Sequence, residues 1–210
     1  MLPVFVCAAA VAGCLFAEWR QDTRGLWLAK PVASAAFLWA AVAWGALDSG
    51  FGRWLACGLA LCAAGDVLLI SRHSQASLRA GMLAFGLGHA SFAGAFWSHG
   101  LAPLAGALGT LAAAALGVGV LRWLRPHLSP DDRTPLRLYL AAIGVMLATA
   151  AGATAQGAPW PAAAGASLFA LSDLAVAQDR FVSRSFASTL WGLPAYYLAQ
   201  LLIAWGARGA

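Results

Sequence analysis

The chain has 210 residues, of which 61% are hydrophobic and 10% charged, and its mean hydropathy is +0.75. A water-soluble core of that size cannot hide so many apolar side chains, which excludes a soluble globular domain and defines a polytopic membrane protein. The formal charge of +5 does not indicate nucleic acid as a partner, because the 13 Lys and Arg lie at the ends of apolar runs and form no basic patch; they are topology signals.

Apolar segments separated by charged or Pro/Gly breaks run roughly over 2–17, 28–46, 54–70, 81–98, 101–121, 136–152, 161–178 and 187–206. The expected fold is all-α, one integral membrane domain over residues 1–210 built as a bundle of eight transmembrane helices. In the first segment, Val11-Ala12-Gly13-Cys14 resembles a lipoprotein cleavage box, but no Lys or Arg precedes it, so residues 2–17 read as an uncleaved helix. Cys7, Cys14, Cys57 and Cys62 all sit inside apolar runs without a CxxC pair and read as small packing residues, with no disulfide and no metal site. The division at Gly100 to Pro103 carries no formal charge; a tight re-entry fits better than one unbroken apolar run of twice the length a bilayer needs. Trp19, Trp54, Trp123, Trp160 and Trp205 fall near segment ends, as interfacial anchors do.

Basic residues fix an orientation. Arg20, Arg24 and Lys30 belong to the first connection, Arg72 and Arg79 to the third, Arg122, Arg125, Arg133 and Arg137 to the fifth, and Arg180 and Arg184 to the seventh. Only Arg53 and Arg208 fall on the other side. The odd connections are therefore expected in the cytoplasm and both termini outside, in a membrane of the bacterial inner type.

Two acids break the apolar pattern. Asp66 in LALCAAGDVLLISR and Asp173 in GASLFALSDLAVAQDR lie inside helices three and seven, whereas Glu18, Asp22, Asp48, Asp131, Asp132 and Asp179 lie in connections or at helix ends. Burying a carboxylate at mid-membrane depth costs about 2.5–3.5 kcal/mol on insertion scales, so such a residue faces a polar cavity or a partner. Helices three and seven run the same way, which places both acids in the cytoplasmic half. Gly58, Cys62 and Ala63 precede Asp66 on its helix face, and Gly165, Phe169 and Ala170 precede Asp173 at the same offsets. These mostly small faces allow other backbones to approach and point the acids into the bundle.

Other polar residues have both a structural and a functional reading. The two acids could be neutral interhelical hydrogen-bond donors or, with Lys30, an ion pair. Lys30-Pro31 is expected to open helix two, with Pro at a tolerated first position; the lysine snorkels to the interface, binds a phosphate or pairs with an Asp. His89, mid-helix in GLGHASF, is either a buried hydrogen-bonding residue or a proton shuttle or substrate contact. Tyr196 and Gln200 share a face of helix eight with Tyr197 beside it, and Ser172 can bond either the Asp173 carboxyl or its own backbone. Two buried carboxyls within reach of each other, one protonated and one ionised, form an acid and a base. Small-residue stripes such as Gly86, Ala90 and Gly94 serve packing within and between chains equally, so no oligomeric state is assigned.

Lys30-Pro31, Ala64-Gly65-Asp66-Val67-Leu68-Leu69, Phe85 with His89, Leu168-Phe169-Ala170-Leu171-Ser172-Asp173 and Tyr196-Tyr197-Leu198-Ala199-Gln200 together resemble the YhhN family, whose animal relatives are the TMEM86 lysoplasmalogenases. The resemblance covers nearly the whole chain, in order. It implies an eight-helix membrane hydrolase that cleaves the vinyl ether bond of lysoplasmalogens to a fatty aldehyde and a glycerophospho-base, without metal or other cofactor. Its implied catalytic acids are Asp66 and Asp173. Lys30 would then hold the phosphate, His89, Ser172, Tyr196, Tyr197 and Gln200 would bind substrate or order the pocket, and the bundle interior would take the alkyl chain. The competing class is a proton-coupled transporter or lipid-moving protein using the same aspartates. Discontinuous helices would mark it, but no Pro interrupts helix three or seven. An intramembrane aspartyl protease would need GxGD where this chain has Ala63-Ala64-Gly65-Asp66.

Overall fold

In hydrocarbon every backbone amide and carbonyl must be satisfied within the protein, so a chain of this composition resolves into helices. The computed structural model describes residues 1–71 and 74–208; Arg72, one of the topology signals, lies outside them. Among the described residues are eight α-helices: α1 (Leu2–Trp19), α2 (Thr23–Ala43), α3 (Gly50–Leu68), α4 (Gln75–His99), α5 (Pro103–Leu124), α6 (Pro130–Thr154), α7 (Trp160–Ala177) and α8 (Phe186–Gly206). A 3-10 turn, Arg125–His127, follows α5, and a π-helical turn, Gln178–Val182, follows α7.

Six of the helices, α1, α2, α3, α5, α6 and α7, are long and apolar enough to cross a membrane. The protein is all-α and integral to the membrane, but hydropathy supports six spans where eight were expected. The two remaining helices have a common reason to be less apolar. α4 packs between α3 and α6, and α8 packs against both α7 and α2. Helix faces turned to protein rather than lipid tolerate polar residues, and these two carry His89, Tyr196, Tyr197 and Gln200, all buried.

Consecutive helices pair as hairpins, α1 with α2, α3 with α4, α5 with α6 and α7 with α8. Further contacts run from α2 to α3, α4 to α6, α6 to α7 and α8 to α2, so α2, α3, α4, α6, α7 and α8 form a closed ring. α1 lies outside it against α2 and α8, and α5 lies outside it against α6. The ring closes around one apolar core in which Phe37, Leu55, Leu59, Phe92, Phe96, Met146 and Phe169 are buried. Without a hydrophobic force between helices in lipid, close backbone approach supplies the packing. A Cβ at Gly65 would fall 2.7 Å from the Phe85 ring, and one at Gly165 would fall 2.7 Å from the Ala199 carbonyl oxygen. The small faces beside both acids are thus occupied by α4 and α8.

Helix starts differ from the apolar runs. α2 begins at Thr23 because Asp22 caps it, accepting from the Arg24 amide at 3.0 Å. Lys30-Pro31 therefore does not open the helix; Pro31 sits in its interior, where it removes one backbone hydrogen bond. α4 begins at Gln75, capped by Ser74 through the Ser77 amide at 3.1 Å, and α6 begins at Pro130. Each of these starts several residues ahead of its apolar run, since hydropathy marks where lipid begins, whereas helical bonding begins at a side-chain cap in α2 and α4 and at a proline in the first turn of α6. The uncharged break holds: α4 stops at His99, Gly100 takes φ 98°, a left-handed conformation that favours glycine, and α5 starts at Pro103.

Candidate functional site

All six ring helices send a polar side chain to one place. Lys30 and Ser34 come from α2, Asp66 from α3, His89 from α4, Tyr139 from α6, Asp173 from α7, and Tyr196 and Tyr197 from α8. α1 supplies only Glu18, at its end, and α5 supplies nothing to the site cavity.

Asp66 is 2% exposed. Its Oδ2 accepts from Ser34 Oγ at 2.7 Å, from the Tyr196 hydroxyl at 2.8 Å and from the Tyr197 hydroxyl at 3.4 Å. Its Oδ1 lies 3.4 Å from Lys30 Nζ. Every one of these partners can donate, and an ionised carboxylate is an acceptor only. Lys30 and Ser34 are one helical turn apart on α2, which is why the cation and the hydroxyl reach the same carboxyl.

Asp173 is set differently. Its Oδ2 accepts from the Tyr139 hydroxyl at 3.1 Å and lies 3.1 Å from His89 Nε2. His89 is fully buried, with Nε2 also 3.3 Å from the Tyr139 oxygen and Nδ1 3.3 Å from Met146 Sδ. No full-time cation touches this carboxyl among its described contacts. The histidine carries charge only if protonated.

An aromatic wall joins the two carboxyls. Tyr196, the donor to Asp66, lies 5.4 Å from the Phe169 ring, and Phe169 lies 4.3 Å from the imidazole of His89. Phe85 packs edge-on against both Phe169 and Tyr196 at 6.0 and 5.8 Å. Asp66 and Asp173 both line one cavity of about 120 Å³, together with Lys30, Tyr139, Ser172 and Tyr196. Glu18, Asp179 and Arg180 line it where α3 and α7 end. Arg180 also donates to the Leu69 carbonyl at 2.9 Å, tying the turn after α7 to the end of α3. Among the described residues, no three His, Cys, Asp or Glu converge closely enough to hold a metal ion.

Of the residues expected at the site, Lys30, Asp66, Ser172, Asp173 and Tyr196 line the cavity, and His89 and Tyr197 reach it through the carboxyls. Ser172 uses its hydroxyl on its own helix, donating to the Phe169 carbonyl at 2.7 Å. Gln200 is buried with neither amide atom hydrogen-bonded among the described residues, and it is not part of the cavity lining. Sequence reasoning missed Tyr139 and Ser34. Tyr139 is one of only three tyrosines, and Ser34 is one turn beyond Lys30; both signals were present but weak.

An integral membrane helical bundle with one buried and one partly buried carboxyl on a shared, partly polar cavity defines a class of membrane protein whose polar side chains converge inside the bundle. A model of the YhhN family matches residues 25–207, and the chain belongs to that family. It is 34% identical over 160 residues to the lysoplasmalogenase of Mycobacterium tuberculosis, covering 73% of this chain and 60% of that one. It is 35% identical over 153 residues to the human lysoplasmalogenase TMEM86A, covering 70% and 62%, and 32% identical over 210 residues to human lysoplasmalogenase TMEM86B, covering 96% and 84%. The chain thus spans about 60% of the length of the first two of these relatives. No solved structure matches it.

Proposed function

We propose that this protein is a membrane-embedded hydrolase that cleaves the vinyl ether bond of lysoplasmalogens, with Asp173 as the proton donor and Asp66 as the anion. The observation that carries this reading is that two carboxyls with unlike partners open on one cavity. Related proteins named lysoplasmalogenase support the substrate class.

Asp173 protonates the β-carbon of the vinyl ether, which turns the double bond into an oxocarbenium ion. The Asp66 carboxylate faces that cation and orients a water. The water oxygen bonds to the α-carbon and gives up a proton to the carboxylate left on Asp173, which restores the acid and forms a hemiacetal. Collapse breaks the bond to the glycerol oxygen, which takes up the proton that the hemiacetal hydroxyl gives up, and releases a fatty aldehyde and a glycerophospho-base. The sequence is close to glycoside hydrolysis, where an acid, an anion and a water suffice. The contact lengths support the assignment: bonds of 2.7 and 2.8 Å on Asp66 approach the charge-assisted range, and 3.1 Å on Asp173 does not. Lys30 and Arg180 suit the phosphate at the cavity mouth. The charge bias of the connections supports a mouth on the cytoplasmic side and termini outside, and the ring of polar residues supports all eight helices lying in the membrane.

Aldehyde release from a lysoplasmalogen by the purified protein tests the proposal. Wild type is expected to be active, and Asp66→Asn and Asp173→Asn, checked for folding, each to lose at least about a hundredfold in turnover, the scale of general acid–base catalysis. Absence of aldehyde from any ether lipid, together with aspartate-dependent proton flux in vesicles, would replace hydrolysis with transport. Near-normal rates in either variant would remove that residue from the chemistry.

A further inference from the structure

The bundle is incompletely packed where α5 lies against the ring. α5 buries only Ala113 and Leu124 along its length. Near its start it is tight against α6, where a Cβ at Gly109 would lie 3.1 Å from the Ala148 Cα. Beyond its end, Leu124, Leu128 and Leu136 close a second apolar cluster. Between these two contacts the helices stand apart: a side chain at Gly117 would meet nothing within 4 Å, and one at Gly144 only the Ala113 methyl at 3.8 Å. The gap is a groove of about 340 Å³ lined by Leu116 and Gly117 of α5, Ile143 and Leu147 of α6, and Leu171 and Leu174 of α7. Leu116 and Leu171 on its rim are exposed, as apolar side chains in contact with lipid are on a membrane-spanning helix.

Its inner wall is not apolar. Tyr139 and Asp173 line this groove and also line the polar cavity. Any molecule occupying both spaces must therefore be hydrocarbon on one side of Asp173 and polar on the other. In a lysoplasmalogen the vinyl ether is the bond at that junction.

Resting on the hydrolase reading above, we infer that the α5–α6–α7 groove holds the single alkenyl tail of the lysolipid, entering sideways from the bilayer, while the headgroup occupies the cavity beside Lys30. The tail is not taken into the centre of the ring, where Phe92, Phe96 and Phe169 leave no exposed surface. A groove of about 340 Å³ falls in the range of about 300–1,000 Å³ typical of ligand sites. Tail and headgroup on opposite sides of Asp173 set the reacting carbon against the proton donor, the positioning that makes an attack effectively unimolecular.

The test is photolabelling in nanodiscs with a non-hydrolysable alkyl-ether lysophospholipid that carries a diazirine in mid-tail. Labelled peptides are expected from α5 and α7 around Leu116, Gly117 and Leu171, and the label is expected to fall with excess lysoplasmalogen but not with diacyl phospholipid. Label on α1, α2 or α8, or label in the groove indifferent to lysoplasmalogen, would overturn the inference. In wild type the labelling needs no variant and no turnover. Competed groove labelling without aldehyde release therefore upholds the tail site while removing hydrolysis, and aldehyde release with label elsewhere does the reverse. Gly117→Phe, which projects into the gap, is expected to lower the kcat/KM ratio of long-chain over short-chain alkenyl substrates by at least about tenfold, the low end for small size differences in an apolar pocket. An unchanged ratio would count against the tail site.

Discussion

Asp66 and Asp173 are the same residue near the same end of two helices that run the same way, yet the bundle surrounds them differently. Asp66 receives a lysine and three hydroxyls, all donors, and keeps 2% exposure. Asp173 receives one phenol and an imidazole, and its side chain keeps 13% of its exposure, toward the spaces it lines. Partners from other helices, not the helix that carries the acid, give two identical side chains different surroundings. Converging buried donors suit the proposed anion, and a phenol and an imidazole suit the proposed proton donor.

The largest expected effect on stability lies at the lysine. Lys30→Met leaves the Asp66 charge buried without its cation and is expected to cost about 3–5 kcal/mol, read as a fall in thermal stability in detergent. Adding Asp66→Asn to it should recover part of the loss, with a coupling of at least about 0.5–3 kcal/mol in a double-mutant cycle. His89→Gln with Asp173→Asn should couple less, because that pair has no permanent cation. Equal couplings at the two sites would erase the distinction between them.

Two tyrosines sharpen it. Tyr196→Phe removes a donor to the proposed anion and is expected to cost about 1.5–3 kcal/mol, whereas Tyr139→Phe removes a donor to the proposed proton donor and is expected to cost about 0.5–1.5 kcal/mol. The reverse order, measured by the same thermal unfolding, would exchange the roles of the carboxyls. The smallest effect belongs to Ser172→Ala. Its hydroxyl is bound to the Phe169 carbonyl and not to the neighbouring acid, so stability should stay within about 0.5 kcal/mol and turnover within about twofold.

What the sequence made legible follows from the cost of polar groups in lipid. Asp66, Asp173, His89 and Lys30 stand out because each interrupts or opens an apolar run where a polar residue must have a reason. Tyr139 did not stand out, because Arg133 and Arg137 lie within two turns of it and make it look like an interfacial tyrosine. Ser34 is too small and too common in membrane helices to announce a role. Helix order and the break at Gly100 were readable from hydropathy and turn chemistry, but the early starts of α2, α4 and α6 were not, since their first turns are polar by composition yet already helical. The closure of six helices into a ring with α1 and α5 outside could not be read at all. It depends on which small faces meet, and glycine faces such as those of Gly65 and Gly165 fit more than one partner.

Infrared spectra of the substrate-free protein near neutral pH test the division between the carboxyls most directly. With Asp173 holding the proton, the protonated-carboxyl stretch of wild type should vanish in Asp173→Asn and persist in Asp66→Asn. A band that vanishes in Asp66→Asn and persists in Asp173→Asn would contradict the assignment of acid and anion.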